Sequence, residues 1–480
     1  MNKKIIIESF VWRLGERIGA QLVSFVVSII LARLLSPKDY GTIALVMVFT
    51  VILQVFVDSG FGTALIQKKN ADDLDYSSVF YFNIIACLIL YGLIFFTAPL
   101  ISKFYSDPNL ILIIRVLGLT IIITGVRAIQ QAYVSRNMLF KRFFFSTLGG
   151  TLISAVIGLF LAFSGYGVWA LVAQQLSNSF FDTLILWITV DWRPKLIFSW
   201  KRLKALYSFG WKLLVSALLD TIYSNLRNLI IGKIYSPSDL AYYNQGDKLP
   251  KLIITNINTS IDSVLLPTMS NYSDNVEKIK HMTRRSIRIS TYIISPILFG
   301  LAACSEQLIS ILLTDKWLAC VPYLRIFCIT YAFWPVHTAN LSAINAMGRS
   351  DLFLRLEIIK KVIGLTLLFT TMWFGVMIMA YSLLVSSILS QIINAWPNRR
   401  LLNYGYIDQL HDFLPNILIS AIMSIIVYLM GFLNLNSYSL LFIQIVIGIF
   451  FYISVSAICK LEQFEYLYNS ISELIKKRRV

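Results

Sequence analysis

Apolar runs of 18 or more residues recur along the chain between short polar stretches, and each is long enough to cross a hydrocarbon core of about 30 Å. The pattern predicts an all-α polytopic membrane protein of about 14 transmembrane helices, at 11–34, 41–66, 77–99, 109–135, 143–163, 166–190, 206–234, 239–269, 285–303, 318–346, 352–373, 376–396, 413–433 and 438–459. Pro296 lies inside the ninth, where a membrane helix tolerates proline if neighbours re-satisfy the freed backbone group. Basic residues precede the first run but no small-residue cleavage site follows it, so a retained span is expected there rather than a signal peptide.

The polar punctuation repeats. Ser36-Pro37-Lys38-Asp39 returns two hundred residues later as Ser236-Pro237-Ser238-Asp239, each copy closing one apolar run and opening the next. Ser as N-cap, Pro at the first helical position and an acid in the first turn are the chemistry of a helix start. The correspondence continues with Asp58-Ser59 and Asp262-Ser263, with Leu100-Ile101-Ser102 and Leu308-Ile309-Ser310, and with the pairs Asp107/Asp315, Arg115/Arg325 and Arg136/Arg349. Six spans per copy is an even number, so the copies share one orientation as parallel six-helix lobes related by an axis along the membrane normal. The expected organisation is a first lobe at 1–190, a basic linker at 191–205 and a second lobe at 206–400, with two extra spans within 401–460 and an amphipathic tail at 461–480. Two such lobes imply a cleft and alternating access.

Composition agrees with this class: 57% of residues are hydrophobic and 14% charged, too little polar surface for a soluble domain. The net charge of +17 is mostly topology. Most Lys and Arg precede the first span, follow an even-numbered one, or stand in the tail, which puts those connections and both termini in the cytoplasm and calls for no nucleic-acid partner. The five cysteines are scattered without CxxC spacing and read as small buried hydrophobes, although Cys304 and Cys320 fall near one membrane face. In 191–206, Trp192, Phe198 and Trp200 alternate with basic residues, which predicts a helix lying on anionic headgroups; the tail from Leu461 reads the same way.

Charges at bilayer depth are the strongest functional signal, because each is costly unless it meets water or a partner. Away from span ends stand Arg17, Asp58, Arg127 and Asp182 in the first copy. The second copy holds Lys212, Asp220, Arg227, Asp247, Lys248, Lys251 and Asp262. Arg17, Arg127, Lys212, Arg227, Lys248 and Lys251 are candidate cleft residues for an anionic diphosphate, Arg as a bidentate fork and Lys as a point charge. Structural pairing, such as Arg227 with Asp220 or Lys251 with Asp247, is the competing reading. Asp58, Asp220 and Asp262 are candidates for ion coupling. Tyr223, Tyr242, Tyr243 and Trp334 offer sugar-stacking faces or ordinary interface anchors, and His337 either relays protons or packs.

The stretches ILARLLSPKDYGTIALVMVF, DSGFGTALIQKKN, GYGVWALVAQQL and NLIIGKIYSPSDLAYYNQGDKL resemble the Wzx-type polysaccharide flippases of the multidrug/oligosaccharidyl-lipid/polysaccharide exporter superfamily, from the N-terminus to about residue 400. The resemblance implies a substrate: an undecaprenyl-diphosphate-linked oligosaccharide, moved from the cytoplasmic to the periplasmic leaflet of a bacterial inner membrane for capsule, exopolysaccharide or O-antigen assembly. The expected partners are that lipid-linked substrate, membrane lipids and other polysaccharide assembly proteins, with no cofactor and no metal. A drug:cation antiporter of the same superfamily is the nearest alternative, but it favours acidic pockets and usually twelve spans. A membrane glycosyltransferase or polymerase is the alternative from another class. The external loops are short and carry no HExxH, P-loop or Gly-rich nucleotide fingerprint, so no enzyme is expected.

Overall fold

Both Ser-Pro-x-Asp corners fold as sequence chemistry requires. Ser36 Oγ accepts from the Asp39 N–H at 3.2 Å, and the Asp39 carboxylate accepts from the Ser36 N–H at 3.1 Å and from its hydroxyl at 2.6 Å. Ser236 and Asp239 form the same box at 3.1, 3.1 and 2.6 Å. Each box satisfies orphan donors at a helix start, and the following proline loses nothing because its N–H would be unpaired there.

The computed structural model describes residues 3–478 except 59, 60, 69 and 434; Ser59 of the expected Asp58-Ser59 repeat, Lys69 and Arg479 lie outside the described residues. The first of two compact units, residues 1–241, holds α1 (Lys3–Leu34), α2 (Pro37–Asp58), α3 (Phe61–Gln67), α4 (Asp73–Tyr105), α5 (Leu110–Arg136), α6 (Phe140–Phe163), α7 (Val168–Thr189) and α8 (Trp200–Ile234). Helix α9 (Pro237–Ser270) opens at the end of this unit and continues into the second, residues 242–480. There follow α10 (Val276–Ala303), α11 (Ser305–Leu313), a 3₁₀ segment (Asp315–Cys320), α12 (Val321–Ala332), α13 (Trp334–Ala346), α14 (Ser350–Thr371), α15 (Val376–Leu401), α16 (Tyr406–Leu429), α17 (Ser437–Ile458) and α18 (Glu462–Arg478). The chain is a multi-pass helical membrane protein, and among the described residues the expected spans fall mainly on helices, the second being shared between α2 and α3.

Ten helical segments among the described residues are long and apolar enough to cross a membrane. Helices α7, α8, α9 and α14 fall short of that measure because polar and charged residues interrupt them. The tenth expected span is one membrane segment broken at Phe333, where Pro335 removes a backbone donor at the start of α13. Pro296, in contrast, sits within continuous α10.

Small residues set the close packing of the first unit. Gly150, Ser154 and Gly158 recur every four residues on one buried face of α6. A Cβ on Gly150 would lie 2.9 Å from the Asp182 nitrogen of α7, and one on Gly158 would lie 2.9 Å from Gln174 Cβ. Backbones can approach only where no side chain intervenes.

The expected interfacial helix over 191–206 is corrected: helix begins only at Trp200, and the preceding residues are non-helical. Pro194 disfavours helical geometry at Arg193, and three acids at the start of α4 attract the basic residues. Lys195 pairs with Asp73 at 2.5 Å, Arg202 with Asp72 at 2.7 Å, and the Lys195 and Ser199 N–H groups donate to Ser77 and Ser78 Oγ. Trp192 is buried, stacked on Tyr133 and donating its indole N–H to Asp73. All five cysteines are free, Cys304 and Cys320 included.

Candidate functional site

Within the first unit, α2, α5 and α7 enclose a polar cavity of about 190 Å³. Asp58 and Gln54 come from α2, Thr120, Thr124 and Arg127 from α5, and Gln175 and Ser179 from α7. Gln54 bridges two walls, donating to Asp58 at 3.1 Å while accepting from the Thr124 hydroxyl at 2.7 Å. Arg127 forms an ion pair with Asp182, whose backbone is brought close by Gly150. The pair costs less than either ion alone at this depth, since each removes the other's need for water. Among the described residues, Arg127 Nε is buried without an acceptor and Asp58 has no ion-pair partner. The cavity therefore offers one guanidinium N–H to an anion and one carboxylate, set among hydroxyls and amides, to a cation or proton.

The second cluster lies on α9. Lys251 pairs with Asp247 at 3.5 Å, as its spacing of one helical turn allows, and the same carboxylate accepts from the Tyr331 hydroxyl of α12. Lys248 is half-buried beside them. Farther along, Asp262 accepts from Ser342 Oγ at 2.8 Å and is otherwise exposed. Arg227 is buried on α8; it and Asp220 are both engaged by neighbouring groups. Arg17 on α1 and Lys212 on α8 are exposed and join neither cluster.

Other side chains expected to offer chemistry are used in packing. Tyr243 is buried edge-on against Phe327, Tyr242 meets Trp317, and Trp334 lies against Tyr331. His337 is held between Asn394 and Ser387, and one turn farther along α13 a buried amide cluster links Asn340, Asn398 and Gln409. That cluster was not legible in the sequence, because its members are single polar residues on α13, α15 and α16. The hydroxyl and amide walls around Arg127 were also missed, although Gln175, Ser179 and Asp182 recur at helical spacing on α7. Among the described residues no group of His, Cys, Asp and Glu could hold a metal ion.

A family model described as polysaccharide biosynthesis protein matches residues 30–322. The chain is 26% identical over 391 residues to the teichuronic acid biosynthesis protein TuaB of Bacillus subtilis, covering 79% of each. It is 23% identical over 384 residues to the lipopolysaccharide biosynthesis protein WzxC of Escherichia coli, covering 78% of this chain and 76% of that one. Among solved structures, the lipid II flippase MurJ in an inward closed conformation superposes with a TM-score of 0.72 at 17% identity, over 95% of this chain and 98% of that one. At that identity the likeness is one of fold.

Proposed function

From the polysaccharide biosynthesis protein family, to which this chain belongs, we propose that it is a flippase carrying a lipid-linked oligosaccharide across the bilayer. In this reading the carrier is undecaprenyl diphosphate, and the unit moves from the cytoplasmic to the periplasmic leaflet of a bacterial inner membrane, with both termini cytoplasmic. The product feeds capsule, exopolysaccharide or O-antigen assembly, where other assembly proteins take it up. The two sequence repeats act as lobes that alternate access. The observation that carries this reading is where the charge lies: Arg227, Lys248 and Lys251 are on α8 and α9, two of the long helices too polar to qualify as simple spans. A cation on a membrane helix is costly unless it faces water, a partner or an anionic ligand, and cations at this density suit a ligand.

The candidates for meeting the diphosphate are Lys248 and Lys251 on α9, Arg227 on α8 and the Nε edge of Arg127, with Arg17 and Lys212 as exposed cations apart from both clusters. Asp58, hydrogen-bonded to Gln54 beside its cavity, is the first candidate for ion coupling; Asp220 and Asp262 are the other candidates. A strain lacking the protein should accumulate lipid-linked oligosaccharide in the cytoplasmic leaflet. Arg127→Ala, Arg227→Ala and Lys251→Ala should each restore at least roughly tenfold less export than the parent at equal expression, the effect of losing one charge-assisted hydrogen bond. Normal export by all three would refute the cationic site, and no leaflet-specific accumulation would refute flipping.

A further inference from the structure

Two cavities of the second unit meet at one arginine. The first, about 800 Å³, lies between α10 and α18 and is walled by Lys278, His281, Arg284, Arg285 and Arg288, with Glu462 opposite. The second, about 730 Å³, runs between α9 and α10 and is largely apolar, lined by residues such as Ile257, Ile261, Val264, Leu265 and Ile293. Met282, Arg285, Ile289 and Tyr466 line both.

The junction follows from the sequence of α10. Lys278, His281, Arg285, Ile289 and Ile293 recur at intervals of three or four and so share one face, basic over its first turns and apolar beyond. A ligand lying along that face meets positive charge first and hydrocarbon next. Two of the arginines are already committed. Arg284 forks onto Asp412 at 2.8 and 3.0 Å, and Arg288 donates to Asp412 at 2.7 Å and pairs with Glu462. The Tyr404 hydroxyl completes the shell of Asp412 at 2.7 Å. Arg285 has no carboxylate partner among the described residues; its guanidinium lies 4.0 Å from the Tyr466 ring of α18. Stacking on one face leaves the in-plane N–H groups of the fork directed outward, the geometry that receives a phosphate. Lys278 Nζ, on the same face of α10, lies over the Tyr272 ring at 3.2 Å.

We propose that α9, α10 and α18 form a binding site for an anionic glycerophospholipid of the bilayer, its headgroup phosphate on Arg285 and Lys278 and its acyl chain in the α9–α10 groove. Charge complementarity selects this occupant. Among the described residues, Arg285 and Lys278 are the cations of the chamber with no carboxylate in contact, and Glu462 and Glu465 stand close by, which suits a phosphodiester of single charge better than a diphosphate. Tyr466 ties the headgroup chamber to α18, so an occupied site would fasten the C-terminal helix to α10. The inference is independent of what the protein transports.

Native mass spectrometry of the full-length protein in detergent tests it, with phosphatidylglycerol and phosphatidylcholine offered at equal concentration. One phosphatidylglycerol should be retained in preference, by roughly tenfold or more. Arg285→Ala should abolish the preference, and Ile261→Trp, which fills the groove and leaves every charge in place, should reduce retention of both lipids. Lys204→Ala, a basic residue that lines neither cavity, should change nothing. Equal retention of the two lipids, or an unchanged preference in Arg285→Ala, would overturn the proposal. So would displacement of phosphatidylglycerol by glycerol phosphate alone, which would make the site one for a free phosphate, or by equimolar undecaprenyl diphosphate, which would make it a substrate site. A melting temperature within the parent's range shows that either variant has folded.

Discussion

Gly41 sits at the first Ser-Pro-x-Asp corner, and a Cβ there would lie 1.6 Å from the Pro237 carbonyl oxygen of the second corner. The equivalent position of the second copy is Ala241, so the repeat alone gives no reason for glycine. The reason is the approach of the two corners, which leaves no room for a methyl group. Around this contact Leu45 packs on Gly232, the Tyr105 hydroxyl donates to the Leu229 carbonyl, and Lys233 lies over the Phe104 ring. Gly41→Val should therefore part the corners. A cysteine introduced at Leu45, which is buried here, should become severalfold more reactive to a water-soluble thiol reagent in the Gly41→Val background. Unchanged reactivity would mean that the contact does not hold the corner shut. Arg127 makes the same point about legibility: its depth could be read from the sequence, but its pairing with Asp182 depends on the α6–α7 packing that Gly150 permits.

At the scale of elements, the connection before α8 is where hydrophobic and charge pattern misled. Aromatics interleaved with bases suit a helix on a headgroup surface, and the same residues equally suit a strap bound to an acidic helix start. The acids Asp72, Asp73 and Asp75 were available in the sequence, but more than a hundred residues separate them from Lys195 and Arg202. Only folding brings them together. Asp75 is fully buried and shared between Lys68 at 2.6 Å and Arg202 at 3.3 Å, so Asp75→Ala should cost about 2 kcal/mol through lost charge-assisted hydrogen bonds, read as a lower unfolding midpoint in detergent. The strap should also be acid-sensitive. The Asp75 backbone N–H, and then the Arg202 guanidinium, hold the Asp72 carboxyl below the usual carboxylate range. A carboxyl with a depressed folded pKa stabilises above its unfolded value, near pH 4, and loses that contribution as pH falls through the folded value. Asp72→Asn should flatten stability against pH below about 4 and leave that dependence unchanged near neutrality. The α18 tail fared better in the sequence: its amphipathic pattern predicts a helix, and the helix forms, but docked through Glu462 and Tyr466 on α10.

At the scale of the molecule, charge sets the energetics of the proposed transport. Moving one charge through 100 mV is worth about 2.3 kcal/mol. If the cations neutralise the bound diphosphate, the loaded protein feels little of an inside-negative potential, while the empty cationic site is drawn back toward the cytoplasm. Collapsing the potential at constant pH should therefore slow turnover of oligosaccharide in proteoliposomes. Turnover that follows a proton or sodium gradient and ignores the potential would instead point to coupling through Asp58 or Asp262.

By itself the sequence determined the helical membrane class and the corners that open α2 and α9. These rest on local physics: apolar length against bilayer thickness, and capping groups within three residues of the donors they satisfy. It also placed the charges along the helices. Tertiary structure alone decided their partners and those of the groups beside them: Arg127 with Asp182, Gln54 with Thr124, Asp412 with Arg284 and Arg288. Partners on different helices are set by which faces meet and how closely, and that closeness depends on residues with no charge at all, such as Gly41 and Gly150.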